Sequence, residues 1–552
     1  MKEKEITPFN RLLSMLKPDR GEIRNVYVFA AFSGIVGLGL PIGIQAIVNF
    51  IQMGRISTSW IILVILVVLA IVISGLLNVA QMKITENLQQ RIFVRSALDF
   101  ADRIPLMDAE SIEKRYAPEL PNRFFDTITI QKGISKLILD FAAASLQIIF
   151  GLILLSFYHS FFIFFGLALI ILLTFVFKMT ATRGFESSLQ ESNYKYKIAH
   201  WLQQIAYARF SFKMAGTPSY LLQKTDRYLI EYLKSRNEHF KVLKKQYLYL
   251  IGFKALIALA LLIIGGLLVI NQTMNIGQFV AAEIIILLIL SSVEKLIISL
   301  ETVYDLLTAI EKIGQVTDIA LERKEGMEIP DTADGYEIDL FDVHYAHEST
   351  SLPILNGVTL SIKPNTFNVF TTDNTVSTNI IFGIVGGINT MHQGNVSINN
   401  IPIGNLNRNR LRNSIGNMLA QDYLVNASIL ENITLGREYV SFSEVQTICE
   451  QLKLTETIQH LKEGYNTIIT PEGHFLSKDS IRKILLARAL VGSPKVLLLE
   501  EPLQDIKQEE KSLIITLITS LSKTTVIIQS EDKLIHEIAQ FVFSIHQGKL
   551  IQ

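Results

Sequence analysis

Apolar and polar positions divide the chain into two unlike halves. In roughly the first 300 residues, apolar runs reach the length of about 20 that crosses a bilayer as a helix. Six such spans are predicted, near 26–51, 60–81, 138–157, 161–177, 250–270 and 276–299. Several are apolar on every face, which a core helix of a soluble protein does not need. Residues 141–177 contain no Asp, Glu, Lys or Arg; they are too long for one span and break at Tyr158-His159-Ser160. Residues 252–300 turn in the same way at Asn271-Gln272-Thr273-Met274-Asn275. Apolar periodicity then stops and charges alternate, marking a linker over 321–335. From Tyr336 short strand-like runs and helical runs follow one another to Gln552, the pattern of an α/β domain.

Charge adds orientation. Lys and Arg crowd the N-terminal segment, 83–136 and 178–254, whereas the three short alternate loops carry only Arg55. By the positive-inside rule both termini and the two long loops are expected in the cytoplasm. Helical patterning in those loops would carry the flanking spans well beyond the bilayer. The segment before the first span is charged and has no short apolar core with a cleavage site, so no signal peptide is expected. With 51 basic and 51 acidic residues the formal charge is zero, which argues against nucleic acid as a partner. A single cysteine, Cys449, leaves no internal disulfide framework. Inside the spans, Glu283 is either a functional acid or a helix–helix hydrogen-bonding group. Pro41 with Gly34, Gly37, Gly39 and Gly43 reads as a kink and packing device in the first span.

The most specific stretch is GHFLSKDSIRKILLARALVGSPKVLLLEEPLQD, residues 473–505. The apolar run Val496, Leu497, Leu498, Leu499 followed by Glu500, Glu501 and Pro502 reads as a buried parallel strand. Such a strand delivers its acids to the carboxyl edge of a sheet, where α/β folds place ligands. Its frame resembles the signature helix and Walker B strand of ATP-binding-cassette (ABC) proteins. The family's LSGGQ, ARAL and DEP are here LSKDS, ARAL and EEP. The resemblance covers nearly the whole chain and is closest to transporters of type I secretion systems and bacteriocin exporters, with further local likeness at 118–133 and 228–247. It implies a membrane all-α six-helix exporter domain over 1–320, followed by an α/β P-loop NTPase-like ABC cassette over 336–552. Such transporters often carry an N-terminal peptidase domain. Here about two dozen residues precede the first span, so leader cleavage is not expected.

The resemblance also assigns positions. In the phosphate-binding loop the family has glycines, whose amides surround the phosphates, and a lysine that reaches them. Thr371, Asn374 and Val376 fall on the glycines and Ser377 on the lysine, and no lysine occurs between Lys363 and Lys453. Thr378 keeps the magnesium-side hydroxyl, with Asn379 following. A left-handed Val376 is expected to cost about 1–2 kcal/mol, and Asp373 would place a negative charge near the phosphates. His347 falls on the adenine-stacking aromatic, with Tyr345 one strand-face repeat away. Gln421, in the Q-loop, falls on the residue that meets magnesium and the attacking water. Ser477 remains of the signature motif, beside Lys478, Asp479 and Ser480. Glu500 takes the magnesium-side acid, so the implied metal set is Thr378, Gln421 and Glu500. Glu501 takes the general-base position, Lys507 that of the D-loop aspartate and Glu531 that of the switch histidine, with His536 five residues on.

ATP and magnesium are therefore the implied cofactors, at a site expected to be degenerate and to hydrolyse no ATP in this chain alone. The implied partners are the lipid bilayer of the bacterial inner membrane, a second, ATPase-competent half-transporter in a hetero- or homodimer, and a periplasmic adaptor. The alternatives are a membrane pseudo-ATPase that scaffolds or regulates without transport and, least favoured, an active homodimeric exporter.

Overall fold

The computed structural model describes residues 7–52, 58–113, 117–216, 218–330, 332–347, 352–420, 422–471, 473 and 475–551. Arg55 and Gln421 lie outside the described residues. The chain forms two compact units.

The membrane unit is helical. Its main helices are α1 (Arg20–Gly37), α2 (Gly39–Gln52), α3 (Thr58–Arg103), α4 (Asp126–Tyr158), α5 (Phe161–Tyr207), α6 (Arg209–Ala215), α7 (Pro218–Ala260) and α8 (Ile276–Thr317). Six helical stretches are long and apolar enough to cross a membrane. The breaks at 158–160 and 271–275 fall where the apolar pattern placed them. At 1.5 Å per residue α3 and α5 are each about 70 Å long, more than twice a hydrocarbon core of about 30 Å. The first span is broken between α1 and α2: Pro41 has no N–H to donate back across the junction, and the Leu38 amide instead shares the carbonyls of Gly34 and Ile35. Gly43 lies directly against Val67, where a Cβ would overlap it, so this segment both kinks and packs closely.

α8 is the most buried of the long helices and runs against α4 and α5. Below the apolar stretches its packing turns polar. The Gln246 amide donates to Thr180 Oγ1 at 2.7 Å and to Tyr304 Oη at 2.8 Å. Arg123 pairs with Glu119 at 2.8 Å and lies 3.6 Å over the Tyr196 ring, so it serves packing within its own unit. Glu283 is half-buried on α8. In contrast, Ile61, Ile65, Leu69 and Leu76 along α3 are exposed, as bilayer-facing side chains must be.

The second unit is built on β1 (Ile338–Tyr345), β2 (Leu355–Ile362), β3 (Phe367–Thr372), β4 (Gln393–Ile398), β5 (Ile401–Pro402), β6 (Ile415–Met418), β7 (Ala427–Ser428), β8 (Ile468–Ile469), β9 (Val496–Glu500), β10 (Thr525–Gln529), β11 (Phe541–His546) and β12 (Lys549–Ile551). A six-stranded sheet runs β12-β11-β3-β10-β9-β6, parallel except for β12, and an antiparallel sheet runs β2-β1-β4-β5. β9 and β10 are buried along their whole length, which is why 496–499 and 526–528 read as unbroken apolar runs. The helices that matter below are α9 (Thr375–Val385), α10 (Ile429–Thr434), α11 (Lys478–Leu490), α12 (Gln508–Thr519) and α13 (Lys533–Ile538).

The segment 321–335 runs along this unit. Arg412 donates a two-pronged pair to Glu322 at 2.6 and 2.9 Å. Met327 exchanges backbone bonds with Asn405 and Asn407, and Lys495 Nζ donates to Thr332 O at 2.5 Å. Part of the loop after α3 joins the same unit: the Asp108 amide donates to Ala320 O at 2.9 Å, and Met107 pairs antiparallel with Leu321.

Candidate functional site

The carboxyl ends of β3, β9 and β10 meet where ligands bind in open α/β sheets. The loop leaving β3 is closed by its own side chains. Asn374 is the N-cap of α9, with an extended φ of −142°, and its side-chain oxygen accepts the Val376 amide at 3.0 Å. Thr372 Oγ1 accepts the Asn374 amide at 3.1 Å and donates to Asn374 O at 2.9 Å. Val376 therefore sits inside the first turn of a right-handed helix, and no strain arises there. The expected left-handed valine is wrong, because the helix starts one residue before it instead of curling around a ligand. Ser377, at the lysine position, is 1% exposed and its hydroxyl donates to Ile354 O at 3.2 Å. Thr378 is fully buried and donates to Thr375 O at 2.9 Å. Thr371 Oγ1 lies 2.7 Å from Ser544 Oγ on β11. Asp373 turns away to the β11–β12 turn, 2.7 Å from His546 Nδ1 and 3.3 Å from the Gln547 amide. The buried carbonyl oxygen of the Asn379 side chain is left without a partner. Arranged in this way, the loop presents a triphosphate with no lysine and with the Val376 amide already engaged.

The acid that ends β9 and the one that follows it are held just as firmly. Glu500 is 8% exposed and accepts the Ala420 amide at 2.7 Å. Glu501 has a left-handed φ of 43°. Its carboxylate accepts the Ser530 hydroxyl at 2.8 Å and the Glu531 amide at 3.0 Å, which binds the general-base position to the switch segment. Glu531 itself points to solvent, while His536, on α13, places Nε2 3.0 Å from Ser530 O. The histidine ring thus returns to the switch strand from a helix the register places five residues away. Lys507 stands at the N-cap of α12 without a side-chain capping bond.

At the signature helix, Ser477 caps α11: its hydroxyl accepts the Ser480 amide at 3.1 Å and lies 2.9 Å from Ser480 Oγ. Asp479 pairs with the buried Lys483 at 3.0 Å, and Lys483 also pairs with Glu510 of α12. Lys478 is exposed at the start of the helix. For the adenine position, His347 is half-buried just beyond β1. Tyr345 points into the core, its ring 5.3 Å from that of His392, so it offers no open stacking face.

The Q-loop is braced by residues whose role the motif alone did not reveal. Asn432, on α10 and fully buried, accepts the Val425 amide at 2.8 Å. Its own amide donates to the carbonyls of Val425, Ala427 and Ser428 at 2.9–3.2 Å. Arg488, the arginine of ARAL, donates Nε to Asn432 O at 2.7 Å and NH1 to Tyr423 O at 3.0 Å. Asp422 accepts the Leu419 amide at 2.8 Å and Asn417 at 2.9 Å. Burial, with a smaller push from Glu500, raises the Asp422 carboxyl above the usual range, against the pull of the Leu419 amide, Arg488 and Asn417. An arginine in the apolar second half of this helix, 484–490, was the one sequence signal for this brace. Tyr423 and Val425 remain exposed, so the loop's outer face is free of its own unit.

A six-span helical domain followed by a cassette with its phosphate loop, Q-loop, signature helix and acid-tipped strand in this order is the construction of half of an ATP-driven exporter. Residues 23–293 match the ABC transporter transmembrane region and residues 355–504 the ABC transporter family, and the chain belongs to the ABC exporters. It is 23% identical over 98% of its length, and 76% of the relative's, to the transport/processing ATP-binding protein ComA of Streptococcus pneumoniae. It is 27% identical over 48% of its length, and 37% of the relative's, to the alpha-hemolysin translocation ATP-binding protein HlyB of Escherichia coli O157:H7. A solved structure of a bacterial Atm1-family ABC exporter with ATP bound shares the fold, with a TM-score of 0.76 and 15% identity over 97% of this chain and 94% of that one. The chain is thus a multi-pass membrane protein and an ABC exporter subunit.

Proposed function

We propose that this chain is the non-hydrolysing subunit of an ABC export complex, paired with a second half-transporter that binds and hydrolyses ATP. The observation that carries the reading is the closed loop after β3, where Asn374 holds the Val376 amide and a buried Ser377 replaces the lysine. A magnesium triphosphate does not fit this arrangement in the manner of the family. Its phosphates would have to displace the Asn374 cap, and losing the lysine's charge-assisted bond forgoes about 1.5–3 kcal/mol. The braced Q-loop, with Tyr423 exposed, supports a retained coupling role. The charge distribution supports a topology with both termini and the charged helix extensions in the cytoplasm.

The test is direct. The purified chain should bind no fluorescent ATP analogue at micromolar concentrations, and its ATPase should equal that of Glu501→Gln. A turnover on the order of one per second that vanishes in Glu501→Gln would overturn the reading. Export in cells that survives deletion of this chain would favour the scaffold reading instead. For topology, a thiol at Thr273→Cys should label from outside, and one at Gln547→Cys only after permeabilisation.

A further inference from the structure

Between α5 and α7 lies a crevice of about 430 Å³, inside the roughly 300–1,000 Å³ range of small-ligand sites. Its two ends differ in chemistry. At one end Arg183 of α5 and Lys241, Lys244 and Lys245 of α7 line it, with Glu238 as the one acid. Four cations against one anion leave a formal charge of +3, since 4 − 1 = 3. Glu238 is already paired with Lys241 at 2.6 Å. At the other end it is lined by Met179, Leu248 and Tyr249, and Tyr249 meets Phe175 edge-on at 6.1 Å. A second, largely apolar groove along Ile170, Ile171, Thr174, Phe175 and Met179, with Lys178 among its lining residues, continues this end up α5. The two helices are antiparallel neighbours. The uncharged run of α5 ends at Phe177 and the basic cluster of α7 ends at Lys245, while the one cation further along α7, Lys254, is paired with Glu294 of α8. These ends mark the membrane boundary.

We propose that this crevice is a binding site for an anionic phospholipid. The phosphate is held by Arg183, Lys241 and Lys245, and an acyl chain lies along Phe175, Ile171 and Ile170. Basic side chains that merely reached for the interface would suit any lipid surface. Here they converge from two helices on one cavity above an aromatic floor, which selects a molecule with a phosphate and a chain in this order. The inference rests only on the apolar runs lying in the bilayer, not on the state of the ATP site.

The test uses the full-length protein in detergent, titrated with a fluorescent short-chain phosphatidylglycerol. The triple variant Arg183→Gln/Lys241→Gln/Lys245→Gln should weaken binding by about a hundredfold, the loss expected for three basic residues near a charged lipid. A charge-matched variant, Arg209→Gln/Lys213→Gln/Arg227→Gln, should bind like the parent, and so should Lys241→Arg/Lys245→Arg. Phosphatidylcholine of the same chain length should compete poorly. Equal losses in the two triple variants would reduce the effect to net charge and overturn the site. Displacement of the lipid by millimolar inorganic phosphate alone would overturn the assignment to a lipid. If the crevice variant fails to fold, Phe175→Ala decides alone: it should weaken the long-chain lipid more than a short-chain one, and no such difference would count against the proposal.

Discussion

Two neighbouring loops of the cassette treat their backbone in opposite ways. After β3, side chains turn inward onto the loop: Asn374, Thr372 and Ser377 engage the amides, carbonyls and space that the family gives to phosphate. After β6, buried side chains from elsewhere, Asn432 and Arg488, hold the Q-loop by its main chain and leave Tyr423 and Val425 facing out. One loop is closed on itself and the other is held ready to be touched. The difference is between a loop whose amides its own side chains occupy and a loop whose outer face is held open.

The sharpest way to break this comparison is Asn432→Ala. It strands the Val425 amide, the surrounding carbonyls and part of Arg488 in the interior. At about 1–3 kcal/mol per unsatisfied buried group, a loss of about 2–4 kcal/mol is expected in chemical denaturation of the purified chain. A change below 1 kcal/mol would show that the brace is ornamental. Next comes Tyr423→Ala: its ring is 67% exposed, so stability should hold within about 0.5 kcal/mol. Export in cells should nonetheless fall severalfold, and unchanged export would mean that the Q-loop face is not used.

At the closed loop the expected effects are smaller. Asn374→Ala removes a helix cap, and a loss of about 1 kcal/mol in stability is expected with export retained. Ser377→Ala leaves Ile354 O short of one bond and should cost about 0.5–1.5 kcal/mol, again with export retained. Loss of export in either variant, with the complex still assembled, would show that the loop handles nucleotide after all.

The smallest effect is a pH dependence. Asp422 has its carboxyl raised in the folded state, mainly by burial. Its folded form binds a proton more tightly than the unfolded chain, so the stabilisation is complete below an unfolded value of about 4. It is lost as pH rises through the folded value. The stability of the parent relative to Asp422→Asn should therefore rise on acidification through that window. A flat difference between pH 4 and 7 would remove Asp422 as a titrating group.

Much of the architecture was legible because it is written in local periodicity. The six spans, the breaks at 158–160 and 271–275, and β9 and β10 follow from runs that are uniformly apolar or interrupted. The site was legible only by register. Asn374 is of a type that favours the N-cap, but the family register, which gives its position to a phosphate-binding glycine, hid that reading. The pairings of Glu501 with Ser530, His536 with Ser530 O, and Arg488 with Tyr423 join positions separated in sequence. Arg123 shows the same limit. Its place over the Tyr196 ring makes it a packing group, which nothing in the local sequence around it shows.

The burial of Ser377 carries a consequence for reversibility. On the reading proposed above, a lysine at this position would not by itself make a phosphate site. The ammonium would enter a spot that is 1% exposed and faces a carbonyl, while the Asn374 cap still held the neighbouring amide. Uncompensated burial of such a charge costs several kcal/mol, so Ser377→Lys alone should be worse than no change. Removing the cap first only loosens the helix. On that reading, the path from this loop to a phosphate-binding one descends before it rises.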